Sequence, residues 1–237
     1  MIAPIGTFNL QETSSTSSTF NGVRLSTRTM PAHGAARGGD WCEAFALSVD
    51  TVALSIGDVS GHGIETFQPM VAIRQALRNA AHRGLDPART LLEARHLLGG
   101  AARDMYATAI FALLDSRTRT ISLANAGHPS PIMASSRESC FLDFPTKDCP
   151  LGVGSDLLPA VRIVTVPEDT LLVFYTDGVT ERERDSFRGE AALREAVLFA
   201  YQCPHLPSAS VIERQMFLTG RNHDDAAILT AWTPRAA

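Results

Sequence analysis

The sequence predicts an α+β fold in which helices pack on antiparallel sheets. Three observations point there: β-rich runs arrive in close pairs joined by short turns, helical periodicity is confined to two blocks, and strands and helices are grouped rather than strictly alternating.

Residues 11–19, QETSSTSST, are polar and without periodicity, so residues 1–19 read as a flexible lead-in with ordered structure from about Phe20. The first paired runs are Glu43–Val49 and Val52–Ile56, a hairpin around Asp50–Thr51 that lacks the Gly favoured in such turns. From Ile64 to about Arg83, the residues Ile64, Phe67, Val71 and Leu77 fall near helical spacing and Gly84 stops the segment. Pro69 inside it predicts a kink or a delayed start. A second helix opens with Asp86 as N-cap and Pro87 at the first position, carries Leu91, Ala94, Leu97 and Leu98, and ends at Gly99–Gly100.

Strands return at Ala107–Asp115 and Thr118–Ala126, joined by Ser116–Arg117. Val161–Val166 and Leu171–Thr176 form another close pair around Pro167–Asp169 and are expected to be antiparallel neighbours. Two helical segments, about Gly189–Tyr201 and Ser208–Leu218, precede a final strand Ala226–Trp232. No internal repeat and no mid-chain linker composition is seen, which gives one domain over residues 20–237.

Composition bounds the function classes. With 237 residues, 45% hydrophobic, 19% charged and 11 Phe, the chain can bury a large core. A net charge of -4 and a pI near 6.0 give no electrostatic basis for binding nucleic acid or an anionic membrane. Cys42, Cys140, Cys149 and Cys203 form no CxxC pair or zinc-like spacing, and are expected to be reduced, mostly inert core thiols. The opening MIAPIGTFNL lacks the basic and apolar regions of a signal peptide, and no apolar run approaches the roughly 20 residues that span a bilayer. The expected location is the cytoplasm.

Three acidic sites share one context. Asp58 follows VALSIG, Asp177 follows LLVFYT, and Asp224–Asp225 precede AAILTAW, each at a strand terminus. Any one of them reads first as a turn Asp bonding its own backbone. Together they read differently, because strand ends of one sheet converge and gathered carboxylates repel unless cations neutralise them. All-oxygen ligands select Mg²⁺ or Mn²⁺ over zinc. The glycines of IGDVSGHG and TDG let backbone approach an ion closely, and Asp40 in RGGDW has the same surroundings. GDVSG lacks the GxSxG spacing, GHGIET lacks the third Gly of a dinucleotide fingerprint, and neither GxxxxGK[ST] nor HExxH occurs.

RGGDW, IGDVSGHGI, NAGHPSP, PLGV, FYTDGVTE and HDDAAILTAW stand in the order seen in SpoIIE-type phosphatases. Over residues 20–233 the chain resembles that bacterial branch of the PPM, or protein phosphatase 2C-like, family. The resemblance implies a sandwich of two antiparallel sheets flanked by helices, an α/β/β/α arrangement, with two Mn²⁺ or Mg²⁺ ions at one end. It implies a protein serine/threonine phosphatase in which a metal-bridging hydroxide attacks phosphorus in line, with no covalent enzyme intermediate.

Carried over residue by residue, Asp58 resembles the carboxylate bridging both metals and Val59 offers its backbone carbonyl. Asp177 and Asp224 complete the second metal's shell, and Asp40 acts through a bound water. Aligning DDAAIL on the family pattern favours Asp224 over Asp225 as the terminal ligand, with Asp225 supporting the loop. His62 is a candidate to protonate the leaving serine alkoxide. The acid His of the wider family follows its aspartate by two positions and His62 by four, which leaves a role in shaping the loop open. For His128 in NAGHP a loop-structural role is expected. Glu65–Thr66 stand where relatives carry small residues, and the helix they begin is the expected seat of regulation.

The family's typical substrate is a phosphorylated STAS-domain protein, an anti-sigma factor antagonist, whose dephosphorylation releases a sigma factor by partner switching. Any regulatory signal is expected to come from a separate protein or from metal availability, since the chain has no room for fused sensory domains. Two other readings stay open: a catalytically silent partner-binding module of the same fold, and a phosphatase for small phosphorylated metabolites.

Overall fold

Apolar side chains on both faces of the central strands require cover on both sides, and the fold supplies it in four layers. A computed structural model describes residues 14–32, 38–61, 63–95, 97–98, 105–136, 138–144, 148–153, 158–181, 186–218 and 224–234. In chain order the elements are β1 (Ser14–Phe20), β2 (Val23–Met30), β3 (Trp41–Ala46), β4 (Thr51–Val59), α1 (Ile64–His82), α2 (Pro87–Arg95), β5 (Ala107–Asp115) and β6 (Thr120–Ala126). Then follow β7 (Ile132–Ala134), β8 (Ser139–Phe141), β9 (Val161–Thr165), β10 (Thr170–Tyr175), α3 (Ser186–Tyr201), α4 (Ser208–Met216) and β11 (Ala226–Thr233). One sheet runs β1-β2-β11-β10-β7-β8 and the other β3-β4-β5-β6-β9, every pairing antiparallel.

Neighbouring residues on a strand serve different layers, as period-two alternation requires. On β5, Ile110 enters the core between the sheets with Leu54, Phe174 and Leu229, whereas Phe111 packs outward beneath α1 and α2 with Ile73, Leu77 and Leu91. On β10, Phe174 and Leu172 face the other sheet, and Leu171 and Val173 face Leu193, Val197 and Ile212 of α3 and α4. The order is therefore α/β/β/α, as the resemblance implied.

Asp86 caps α2 as expected, its Oδ1 accepting the Arg89 N–H at 2.9 Å. The β3–β4 turn dispenses with Gly because Ser48 Oγ accepts the N–H groups of both Asp50 and Thr51.

Several expectations need correction. Residues 14–19 do not belong to a lead-in: they form β1, paired with β2 from Ser14↔Thr29 to Phe20↔Val23. The strand buries little, so its SSTSST pattern shows no apolar period. The signal was Asn21–Gly22, a two-residue turn with φ of 43° and 81°. The runs around Pro167–Asp169 are not partners. β9 pairs with β6 and β10 with β11 and β7, so the turn carries the chain from one sheet to the other. The uninterrupted burial of β10 beside the alternating exposure of β9 reflects a central and an edge strand. Pro69 delays nothing: α1 starts at Ile64 and runs through it. The carbonyl that Pro69 cannot serve belongs to Glu65, in the exposed first turn where water can reach it. The short β7 and β8 carry too few residues for a periodic signal. None of the four free cysteines is fully buried, and Cys140 and Cys149 are exposed. Among the described residues, no helix is long and apolar enough to cross a membrane.

Candidate active site

The register places the acidic strand ends at one end of the sandwich. Trp41 of β3 pairs with Gly57 of β4, so Asp40 lies beside Asp58. Tyr175 of β10 pairs with Ile228 of β11, which brings Asp177 beside Asp224 and Asp225 across the other sheet. Asp177 opens a single 3₁₀ turn, Asp177–Val179, whose Thr180 and Glu181 N–H groups both donate to the Asp177 carbonyl at 2.8 Å.

Asp225 joins the two sheets at this end. Its Oδ1 accepts the Ala32 N–H at 2.8 Å and its Oδ2 the Gly39 N–H at 2.9 Å, so one buried carboxylate ties the loop after β2 to the loop before β3. Glycines make room for it. A Cβ on Gly38 would lie 2.1 Å from the Asp225 carboxyl, and one on Gly178 would lie 1.9 Å from the Asp225 carbonyl oxygen. Asp224 is exposed, and its Oδ1 accepts the Asp225 N–H at 2.8 Å.

The remaining carboxyls repel one another. Burial raises Asp40 well above the usual carboxylate range and the Asp58 charge adds to this, while a hydrogen bond from the Thr176 hydroxyl pulls the other way. Burial also lifts Asp58, to about 6. A hydrogen bond with Asp40 opposes the rise, and the charges of Asp177, Asp224 and Asp225 reinforce it. Asp177 is raised by burial and by Glu181 and Asp224. The Thr176 hydroxyl also accepts the Ala227 N–H at 2.8 Å, which fixes its direction.

Close packing holds the frame. A Cβ on Gly57 would sit 2.2 Å from the Trp41 indole, which is buried and donates from Nε1 to Ser55 Oγ at 2.9 Å. The Val59 carbonyl oxygen would lie 2.8 Å from a Cβ on Gly39. Cys42 donates to the Arg28 and Ile228 carbonyls at 3.5 and 3.4 Å, and burial pushes its thiol up to about 12. His62 lies outside the described residues. His128 is buried in a closed turn: Asn125 Nδ2 donates to the His128 carbonyl at 2.9 Å, and the His128 N–H returns to Asn125 Oδ1 at 2.7 Å. Its Nδ1 lies 2.8 Å from Thr108 Oγ1, and burial lowers its pKa to about 3, so the ring stays neutral.

The arrangement thus gathers Asp40, Asp58, Asp177, Asp224 and Asp225. Among the described residues, no three His, Cys, Asp or Glu side chains close around a single point. One observation nonetheless fits a cation: Asp40 Oδ2 is shut off from solvent and meets no hydrogen-bond partner among the described residues. An all-oxygen set with mutual repulsion suits hard divalent ions. The sequence reading missed Thr176 and the glycine cradle of Asp225, whose signals were the Thr before DG and the doubled Gly before Asp40.

This fold is that of a PP2C-type phosphatase domain. It matches the PP2C phosphatase domain and a fragment of the regulatory domain of the cell-fate determinant SpoIIE from Bacillus subtilis with a TM-score of 0.79 at 14% identity, covering 95% of this chain and 66% of that one. With the RsbU and RsbW domains of Rv1364c from Mycobacterium tuberculosis the TM-score is 0.82 at 26% identity, covering 97% of this chain and 65% of that one. The family model for stage II sporulation protein E matches residues 48–234, and the chain belongs to the SpoIIE family. The phosphoserine phosphatase RsbP of Bacillus subtilis (strain 168) is 28% identical over 148 residues, 60% of this chain. That stretch takes in only 36% of RsbP, so the chain spans little more than a third of this relative.

Proposed function

We propose that the chain is a metal-dependent protein phosphatase acting on phosphoserine or phosphothreonine of a partner protein. The observation that carries the reading is the convergence of the carboxylates at one end of the sandwich, with a buried Asp40 oxygen left unpartnered. The family and the phosphatase named among its relatives support it.

We assign Asp40, Asp58, Asp177 and Asp224, with the Val59 carbonyl, to holding two Mn²⁺ or Mg²⁺ ions. When bound, such ions activate water and offset charge on the phosphoryl oxygens. Asp225 is assigned to the loop, because both its oxygens are engaged by backbone N–H groups. The Thr176 hydroxyl orients Asp40. Hydrolysis adds water across the P–O bond, and the departing serine oxygen needs a proton, a role we give to His62. His128 cannot supply it, its ring being buried, neutral and engaged at Nδ1 by Thr108 Oγ1.

For substrate we propose a phosphorylated STAS-domain anti-sigma factor antagonist in the cytoplasm, with a phosphatase domain that includes β1 and so begins by Ser14. The test is hydrolysis of p-nitrophenyl phosphate in EDTA, Mg²⁺ or Mn²⁺, beside Asp177→Asn, followed by a phosphorylated STAS protein against free phosphoserine. Cation-dependent turnover lost in the variant, and preference for the phosphoprotein, are expected. Turnover that survives EDTA or the substitution overturns the assignment, and preference for free phosphoserine overturns the substrate.

A further inference from the structure

Thr66 is the third residue of α1, 1% exposed, and its hydroxyl donates to the Gly63 carbonyl at 2.8 Å. Its side chain also touches glycines of two other stretches. A Cβ on Gly39 would lie 3.0 Å from Thr66 Cβ and 3.1 Å from Oγ1, and one on Gly61 would lie 3.2 Å from Cγ2. Gly39 is thereby gripped between Thr66 and the Val59 carbonyl oxygen, 2.8 Å from that same Cβ position. Gly39 also precedes Asp40 and donates its N–H to Asp225.

Helix formation does not call for a Thr here, since a β-branched residue is a weaker helix former than Ala. A buried hydroxyl must find a partner, and this one finds it in the carbonyl of Gly63. Gly63 is the N-cap of α1, with φ of 77° and no side-chain cap, so the Thr66 hydroxyl is what a side chain contributes to fastening the loop to the helix.

We propose that Thr66 is a positioning residue for cation binding. It holds Gly61 and Gly63 against the first turn of α1 and sets the gap between Gly39 and the Val59 carbonyl. This rests on the assignment of Val59 and Asp40 made above. The side chain touches no reacting atom; it acts through the two loops.

The test compares wild type, Thr66→Val and Thr66→Ser. Mn²⁺ affinity is read from the free-ion paramagnetic resonance signal, and melting is followed in EDTA. Thr66→Val keeps the shape and removes the donor, and is expected to weaken Mn²⁺ binding about tenfold, the equivalent of one lost hydrogen bond. Thr66→Ser keeps the donor and is expected to stay within about threefold of wild type, the scale of a small truncation. Unchanged Mn²⁺ affinity in Thr66→Val, whatever its melting temperature, overturns the proposal, as does Thr66→Ser binding as weakly as Thr66→Val. A wild-type chain that takes up no Mn²⁺ overturns the underlying cation assignment and this role with it.

Discussion

Replacing Asp58 by Asn should make the chain more stable in EDTA while abolishing both turnover and the response to cations. Asp58 is lifted from 3.8 to about 6, chiefly by burial. A folded-state pKa above the unfolded one means that the native chain holds the proton more tightly. Above about pH 6 the carboxylate is ionised in both states, and the native state carries the full penalty. That penalty corresponds to about 3 kcal/mol for this rise, and to ~1–2 kcal/mol after allowing for solvent screening and for sharing with Asp40. At about 2–4 °C per kcal/mol for a chain of this size, Asp58→Asn should melt roughly 2–8 °C higher in EDTA near neutral pH. Wild type in EDTA should gain stability as the pH falls from about 7.5 towards 5, and the variant should gain less. Added Mn²⁺ should raise the wild-type melting temperature, because a ligand that binds only the native state stabilises it. The assay is circular-dichroism melting at two pH values with EDTA or Mn²⁺. A variant that melts lower than wild type in EDTA, or that keeps the Mn²⁺ shift, would refute the reasoning.

Further outcomes follow from the packing. Asp225→Ala strands the Ala32 and Gly39 N–H groups, and at about 1.5–3 kcal/mol per charge-assisted bond should cost ~3–5 kcal/mol in chemical denaturation. Gly57→Ala drives a methyl into the Trp41 ring and should destabilise by ~2–3 kcal/mol, visible as red-shifted tryptophan emission at lower denaturant. Cys42→Ala should leave phosphatase activity and Mn²⁺ affinity unchanged, because the thiol donates only to carbonyls of the other sheet; thiol-reagent labelling of native wild type at Cys42 should be slow.

How much was legible depended on how local each signal was. The acidic ends of β4, β10 and β11 could be found because each carboxylate abuts an apolar run long enough to mark its strand. Their meeting at one end could not be read from any of those runs alone, since it depends on β11 lying between β2 and β10. β1 was hidden because Ser and Thr on an edge strand bury nothing periodic, whereas Asn21–Gly22 marked its hairpin plainly. Pro167 and Asp169 signalled that the chain turns but not whether it returns to the same sheet. The role of Gly38 and Gly178 around Asp225 is a contact across some 190 and 50 residues of chain, and no short-range pattern encodes it.

The central place of β11 also governs how the molecule can be made. Four of the strands in the β3 sheet, together with α1 and α2, come from one continuous stretch, and even β9 joins by residue 165. On a ribosome that half can assemble early. The β1–β2 hairpin must wait, because its inner neighbour β11 emerges some 200 residues after it. Asp224 and Asp225 arrive with it, so a nascent chain has no sealed site before β11 has emerged. The long sequence separation of these pairings predicts that closure of this sheet is slower than assembly of the β3 sheet.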